Sequence, residues 1–261
     1  MLGAIAGDII GSVHEFRGDR PTKTTDFELF VPDSTFTDDS VLTVAIARCL
    51  LDGDTDYVSA FHRAFAAYPR CGWGGMFARW AASGRRDPYH SFGNGAAMRV
   101  SPVGFASDSL EETLRVARAT AEVTHNHPEG IKGAQATAGA VFLARTGQGR
   151  AAIRDFVTGT FGYDLTRTLD EIRPDYRFDE TCQGTVPQAI TAFLEATSYE
   201  GAVRNAVSLG GDADTLAAIA GGIAHAFHGA VPATVAAQAL ARLDDRLRAV
   251  WRDFAARYGV S

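Results

Sequence analysis

Cysteine is nearly absent: Cys49, Cys71 and Cys182 are the only three in 261 residues, far apart and without a CxxC pair. This excludes a disulfide-stapled scaffold and a cysteine-based zinc or redox motif, and it points to reduced thiols in a cytoplasmic protein. Basic charge is in deficit, 25 Lys and Arg against 31 Asp and Glu, for a net charge of -6. Such a chain does not hold nucleic acid or an anionic membrane by bulk electrostatics. Long apolar runs are missing as well. The apolar opening, residues 1–13, lacks a basic leader and is broken by Asp8. Nothing reaches the roughly 18–20 uninterrupted apolar residues of a membrane span. Strand patterns, in which Val, Ile and Thr alternate between turns, hardly occur. Neither a repeat nor a low-complexity tract nor a Ser/Pro linker divides the chain, so one domain over 1–261 is expected.

What remains is helical periodicity, and the expected fold class is all-α. Residues 2–13 set Leu2, Ile5, Ile9 and Ile10 at helical spacing, with Gly3, Gly7 and Gly11 as a flat stripe for another helix. A helix over 40–51 ends at Gly53, a C-cap residue. Further helices are expected over 55–67, 74–82, 109–122, 129–145, 150–159, 187–196, 199–207, 215–228 and 232–257. Ser109 with Glu112 reads as a capping box, and Pro128 and Pro187 fit first helical turns. Three connections, 17–36, 83–101 and 160–186, read as long loops, and loops of that length in a compact domain are usually functional or disordered.

Two short runs carry the chemistry. Thr37-Asp38-Asp39 and Asp212-Ala213-Asp214-Thr215 each set two carboxylates and a hydroxyl just before an Ala-rich helix. Either alone is explained by N-capping, because Ser, Thr and Asp are favoured there and acids suit the dipole. Together they suit hard divalent cations, which take several oxygens from more than one segment, and a binuclear Mg²⁺ or Mn²⁺ site is expected. The stretch Ser91-Phe92-Gly93-Asn94-Gly95-Ala96-Ala97-Met98-Arg99 offers backbone amides to a phosphate, Asn94 as a donor and acceptor, and Phe92 to stack on a base; a tight turn opening a helix is the plainer account. In Thr124-His125-Asn126-His127-Pro128, zinc lacks further ligands, leaving helix capping or a hydrogen bond to a ligand. His225 and His228 suit a helix C-terminus, and Cys182 has no His partner to make it a nucleophile. Glu15, at the end of the first helix, is a surface acid by its spacing alone.

In order and spacing, Gly3-Ala4-Ile5-Ala6-Gly7-Asp8-Ile9-Ile10-Gly11-Ser12, Phe36-Thr37-Asp38-Asp39-Ser40, Gly93-Asn94-Gly95-Ala96-Ala97-Met98-Arg99, Thr124-His125-Asn126-His127-Pro128 and Gly210-Gly211-Asp212-Ala213-Asp214-Thr215 resemble the ADP-ribosylglycohydrolase family across the whole chain. The resemblance implies an orthogonal bundle of helices around a cleft holding two Mg²⁺, or Mn²⁺ in some members. It implies metal ligation by Thr37, Asp38, Asp39, Asp212, Asp214 and Thr215. ADP-ribose contacts would come from Ser91, Phe92, Gly93, Asn94, Gly95, Met98 and His125. The implied catalytic carboxylates are Asp38, Asp39 and Asp214, with Glu15 at the position of a mobile catalytic acid in one branch of the family. The expected activity is hydrolysis of the glycosidic bond between ADP-ribose and an acceptor by a monomeric, cytoplasmic enzyme without membrane attachment. A two-metal phosphohydrolase or nucleotidase shares the carboxylates, but it would be expected to carry more ligand histidines and a His-Asp dipeptide. Hydrolysis of O-acetyl-ADP-ribose is compatible with the same residues. A non-catalytic relative would have no need of the intact set of six metal-ligand candidates.

Overall fold

The computed structural model describes residues 1–15 and 20–260, so positions 17–19 of the expected 17–36 connection lie outside the described residues. Its helices, in chain order, are α1 (Leu2–Gly11), α2 (Asp38–Asp52), α3 (Tyr57–Ala67), α4 (Gly75–Ala82), α5 (Gly95–Met98), α6 (Ser101–Ala106), α7 (Leu110–Glu122) and α8 (Pro128–Arg145). They continue with α9 (Arg150–Phe161), α10 (Leu169–Ile172), α11 (Cys182–Leu194), α12 (Tyr199–Val207), α13 (Ala213–His228), α14 (Ala233–Arg242) and α15 (Asp245–Tyr258). Among the described residues there is no strand, only an isolated bridge between Gly93 and Thr181. None of these helices is long and apolar enough to cross a membrane.

The glycine stripe does what its spacing predicts. Every residue of α1 is buried, and the helix lies along α13. A Cβ on Gly3 would collide with the Gly221 carbonyl and His225, one on Gly7 with the Ala217 carbonyl, and one on Gly11 with the Asp214 backbone. These pairings run in opposite directions along the two helices, so they are antiparallel. The C-terminal end of α1 therefore meets the N-terminal end of α13. At the far end, His225 Nδ1 accepts the Gly3 N–H (3.2 Å) and Tyr199 Oη donates to the Gly3 carbonyl (2.8 Å). His225 is thus a buried tie between two helices as well as a residue of a helix C-terminus.

Several boundaries differ from the sequence reading. The 83–101 stretch is not all loop: it contains α5, and α6 starts at Ser101. α5 has four residues, too short to show periodicity. The 160–186 stretch contains α10, closed by a full capping box between Thr168 and Glu171. Pro187 is inside α11 and not in its first turn, because Thr181 caps that helix further upstream by accepting the Gly184 N–H (3.1 Å). The expected 232–257 helix is two, since Leu243 is extended and Asp244 caps a new start on the Leu247 N–H (2.9 Å). α1 stops at Gly11, so Glu15 stands in the turn beyond it. At α7, Ser109 accepts the Glu112 N–H, but the Glu112 carboxylate reaches Asp108 N–H and not Ser109, so the box is open on one side.

Candidate active site

The antiparallel pairing of α1 and α13 sets Glu15 beside the start of α13. Ligand oxygens of Glu15, Asp212 and Asp214 all lie within 4.8 Å of one another. The first acidic run arrives through α1 as well. Asp8, fully buried in α1, accepts from Thr37 N (3.0 Å), Thr37 Oγ1 (2.7 Å) and Ser40 N (3.1 Å), and from the Ser40 hydroxyl. It thereby seals the N-terminus of α2, whose cap is Thr37, accepting the Asp39 N–H (3.3 Å). Sequence patterns mark Asp8 only as an interruption; the signal was a lone carboxylate in an otherwise apolar helix, which burial makes costly unless it is fully bonded.

The two runs meet. Thr215 Oγ1 donates to Asp39 Oδ1 (3.2 Å), across 176 residues of sequence. Asp212 makes no capping bond to α13, and its Oδ2 instead accepts from Asn94 Nδ2 (2.6 Å), which also donates to Thr185 Oγ1 (3.0 Å). Asn94 thus ties the glycine-rich segment to the second acidic run. Both runs sit at helix N-termini, where anions are favoured, but only the first makes a side-chain cap bond.

Concentrated acids change one another's protonation. Burial, then Asp8 and the other carboxylates, holds Asp38 and Asp39 well above the usual carboxylate range. Burial, then Asp212 and Asp39, does the same to Asp214. Burial and Asp212 push Glu15 up to about 8, and burial pushes Asp8 up to about 6 against its four hydrogen bonds. Among the described residues no Lys or Arg forms an ion pair with any of these acids. Carboxylates crowded together without a paired cation, and a donor set of carboxylate and hydroxyl oxygens, fit hard divalent cations and leave nothing for soft ones.

A cleft of about 400 Å³ opens from this acidic end. Ser91, Gly93, Asn94, Gly95, Met98 and His125 line it, together with Glu15, Asp38, Asp39, Asp212, Asp214 and Thr215. Ser91 Oγ accepts the Gly93 N–H (3.0 Å) and shapes the loop. Two expected contacts sit elsewhere. The Phe92 ring is 45% exposed and leans on His127, centroids 5.3 Å apart, outside the cleft lining. Thr37 turns its hydroxyl to Asp8. His125 is buried, and burial followed by the nearby Arg99 charge lowers its pKa well below the usual value, so it is a neutral imidazole. Gly72 to Phe77 also line the cleft, of which the sequence marked 74–77 only as the start of a helix; its Gly-Trp-Gly-Gly spacing was the available signal. Phe178 and Glu180 line it as well.

An all-helical scaffold that converges carboxylates and hydroxyls from two helix N-termini beside a glycine-rich cleft defines a class, that of helical proteins with a candidate site for hard cations. The ADP-ribosylglycohydrolase family profile matches residues 1–260. The chain is 27% identical to human "ADP-ribosylhydrolase ARH3" over 307 aligned residues, covering 88% of this chain and 84% of the human protein. It is 28% identical to the mouse protein of that name, covering 88% and 82%. A solved structure described as "ADP-ribosylglycohydrolase-related protein complex" superposes with TM-score 0.69 at 26% identity, over 97% of this chain and 95% of that one. The chain belongs to the ADP-ribosylglycohydrolase family, the helical hydrolases of ADP-ribose linkages.

Proposed function

We propose that this cleft binds two divalent cations, Mg²⁺ or Mn²⁺, and releases ADP-ribose from an acceptor through Glu15, Asp38, Asp39 and Asp214. The observation that carries this reading is the Thr215–Asp39 hydrogen bond, which joins two acidic runs at the head of one cleft. Asp38, Asp39, Asp212, Asp214 and Thr215 would hold the cations, with Glu15 close enough to share an oxygen and Thr37, bonded to Asp8, a ligand only if its hydroxyl turns. Bound there, the cations would supply Lewis-acid polarisation and an anchor for a ribose diol.

The protein's own residues do the rest. The bond between the ribose anomeric carbon and the acceptor nitrogen or oxygen breaks, water delivers hydroxyl to that carbon, and its proton ends on the acceptor. Positive charge develops on the ring as the bond opens, and the carboxylates of Asp38, Asp39 and Asp214 stabilise it without reorganising. Glu15, in the turn beyond α1 and in the cleft lining, is placed to pass the proton. Backbone amides of the 93–97 segment and the neutral His125 face the diphosphate, which lets an acidic protein bind an anion without a basic patch. Three buried free thiols support a reducing, cytoplasmic setting.

Glu15→Gln keeps the size and removes the acid. Turnover is expected to fall by roughly a hundredfold or more while ADP-ribose affinity changes by less than about threefold. Steady-state kinetics with titration calorimetry decide; unchanged turnover would move the proton to Glu180 or to a carboxylate in the acidic runs. The function itself is tested with serine-, arginine- and DNA-linked ADP-ribose and with O-acetyl-ADP-ribose, each with Mg²⁺, Mn²⁺ or a chelator. Release of ADP-ribose that needs the metal is expected from at least one of them. Phosphate released from nucleotides, with no ADP-ribose from any adduct, would overturn the reading.

A further inference from the structure

The turn that carries Asp212 has little of its own to hold it. Gly210 and Gly211 both take left-handed backbone (φ 70 and 79), and Asp212 makes no capping bond to α13. Oxygens of Glu15 and Asp214 crowd its carboxylate, all within 4.8 Å of one another. Like charges at that distance repel, and two glycines in succession are the softest hinge a chain offers. Asn94 grips the carboxylate itself, but the backbone ahead of it has to be held from outside the run.

Lys23 supplies that hold. It is half-buried, lies outside the cleft lining, and among the described residues it forms no ion pair. Its ammonium donates three hydrogen bonds, each to a main-chain carbonyl: Leu209 (2.5 Å), Arg173 (2.7 Å) and Tyr176 (2.8 Å). Leu209 directly precedes the two glycines, just past the end of α12, and Arg173 caps the end of α10. Carbonyls at helix C-termini carry negative partial charge, which suits a cation. The segments that Lys23 joins close on the glycines from either side. A Cβ on Gly210 would stand 2.8 Å from Pro21 Cβ, and one on Gly211 3.0 Å from the Arg177 carbonyl. The same segment reaches back towards the catalytic acid: Thr22 Oγ1 lies 2.7 Å from His14 Nδ1, and His14 adjoins Glu15.

We propose that Lys23 is a positioning residue: acting through the Leu209 carbonyl, it fixes the Gly210-Gly211 turn so that Asp212 stays within one cation's reach of Glu15 and Asp214. The inference rests on the cation-binding reading of the cleft. It places a determinant of cation affinity outside the acidic runs, in a side chain that bonds only to main chain.

The test is titration with Mn²⁺, read by loss of the free-ion electron paramagnetic resonance signal, beside thermal melting in chelator. Lys23→Met keeps the apolar stem and removes the ammonium, and it is expected to weaken Mn²⁺ by roughly tenfold or more. Ile153→Ala is the control: Ile153 is buried in α9, away from the cleft, and its truncation costs stability through lost packing. It is expected to lower the melting temperature at least as far and to keep Mn²⁺ affinity within about twofold of wild type. Lys23→Cys alkylated with 2-bromoethylamine restores an ammonium on a chain of equal length, and affinity should return to within about threefold of wild type. Wild type carried through the same treatment should not change, because Cys49, Cys71 and Cys182 are buried. If Lys23→Met does not fold, Lys23→Gln, which keeps a donor on a shorter reach, is read in the same way, with a loss of roughly threefold or more. Unchanged Mn²⁺ affinity, a loss matched by Ile153→Ala, or no recovery on alkylation overturns the role of Lys23 and leaves the proposed function standing. Failure of the wild type to bind Mn²⁺ overturns both.

Discussion

Asp39→Asn and Asp214→Asn each lower kcat by roughly a thousandfold or more and leave the fold intact. Both side chains are buried in an acidic cluster, and the change replaces one oxygen by a near-isosteric nitrogen that carries no charge. Without metal the substitution relieves repulsion between neighbouring carboxylates, so each variant should melt at the wild-type temperature or above it. Ligands that bind only the folded state raise its melting point by mass action. Mg²⁺ should therefore stabilise the wild type and have little effect on either variant. Thermal scans with and without Mg²⁺, beside turnover assays, separate a lost ligand from a lost fold. Turnover retained by both variants would refute the cation assignment.

The second large effect lies in the packing. Gly7→Ala adds one carbon where the Ala217 carbonyl already stands, against the α13 backbone and with no flexible side chain to yield. Overpacking of this kind costs about 3 kcal/mol, with the helices forced apart. For a chain of this length that lowers the melting temperature by about 6–12 °C. Gly159→Ala is the control, because that position lies inside α9 with open space around it, and it should be neutral or stabilising by up to about 1 kcal/mol. A Gly7→Ala protein as stable as wild type would mean that α1 and α13 are not in backbone contact.

The parts legible in the sequence are those with local or periodic causes. The Gly3, Gly7 and Gly11 stripe, the Gly53 cap (φ 66) and the long amphipathic helices each follow from residues near one another in the chain. The acidic runs were legible as a pair because they share a composition. Asp8 was not, because its partners Thr37 and Ser40 lie 29 and 32 residues away and only packing brings them to it. Arg99 reads as the end of a glycine-rich motif, and its burial shows only once Phe61 and Thr124 are in place. The left-handed Gly210 (φ 70) and Gly211 (φ 79) were visible as Gly-Gly, but not that Pro21 and Phe178 close on them from either side. Pro187 misled because a first turn is its commonest helical place, and Thr181 supplied a stronger start upstream.

The antiparallel seam between α1 and α13 has a consequence in time. Loop closure over such separations comes late in folding, since its entropy must be met before its contacts form. The helix that brings Asp8 and Glu15 into place is synthesised well before its partner α13, with eleven other helices between them in the chain. Until α13 emerges, the apolar faces of α1 have no lining and the acids have no opposing set. The nascent polypeptide is therefore inert until α13 has been made, and catalytic competence waits on that helix.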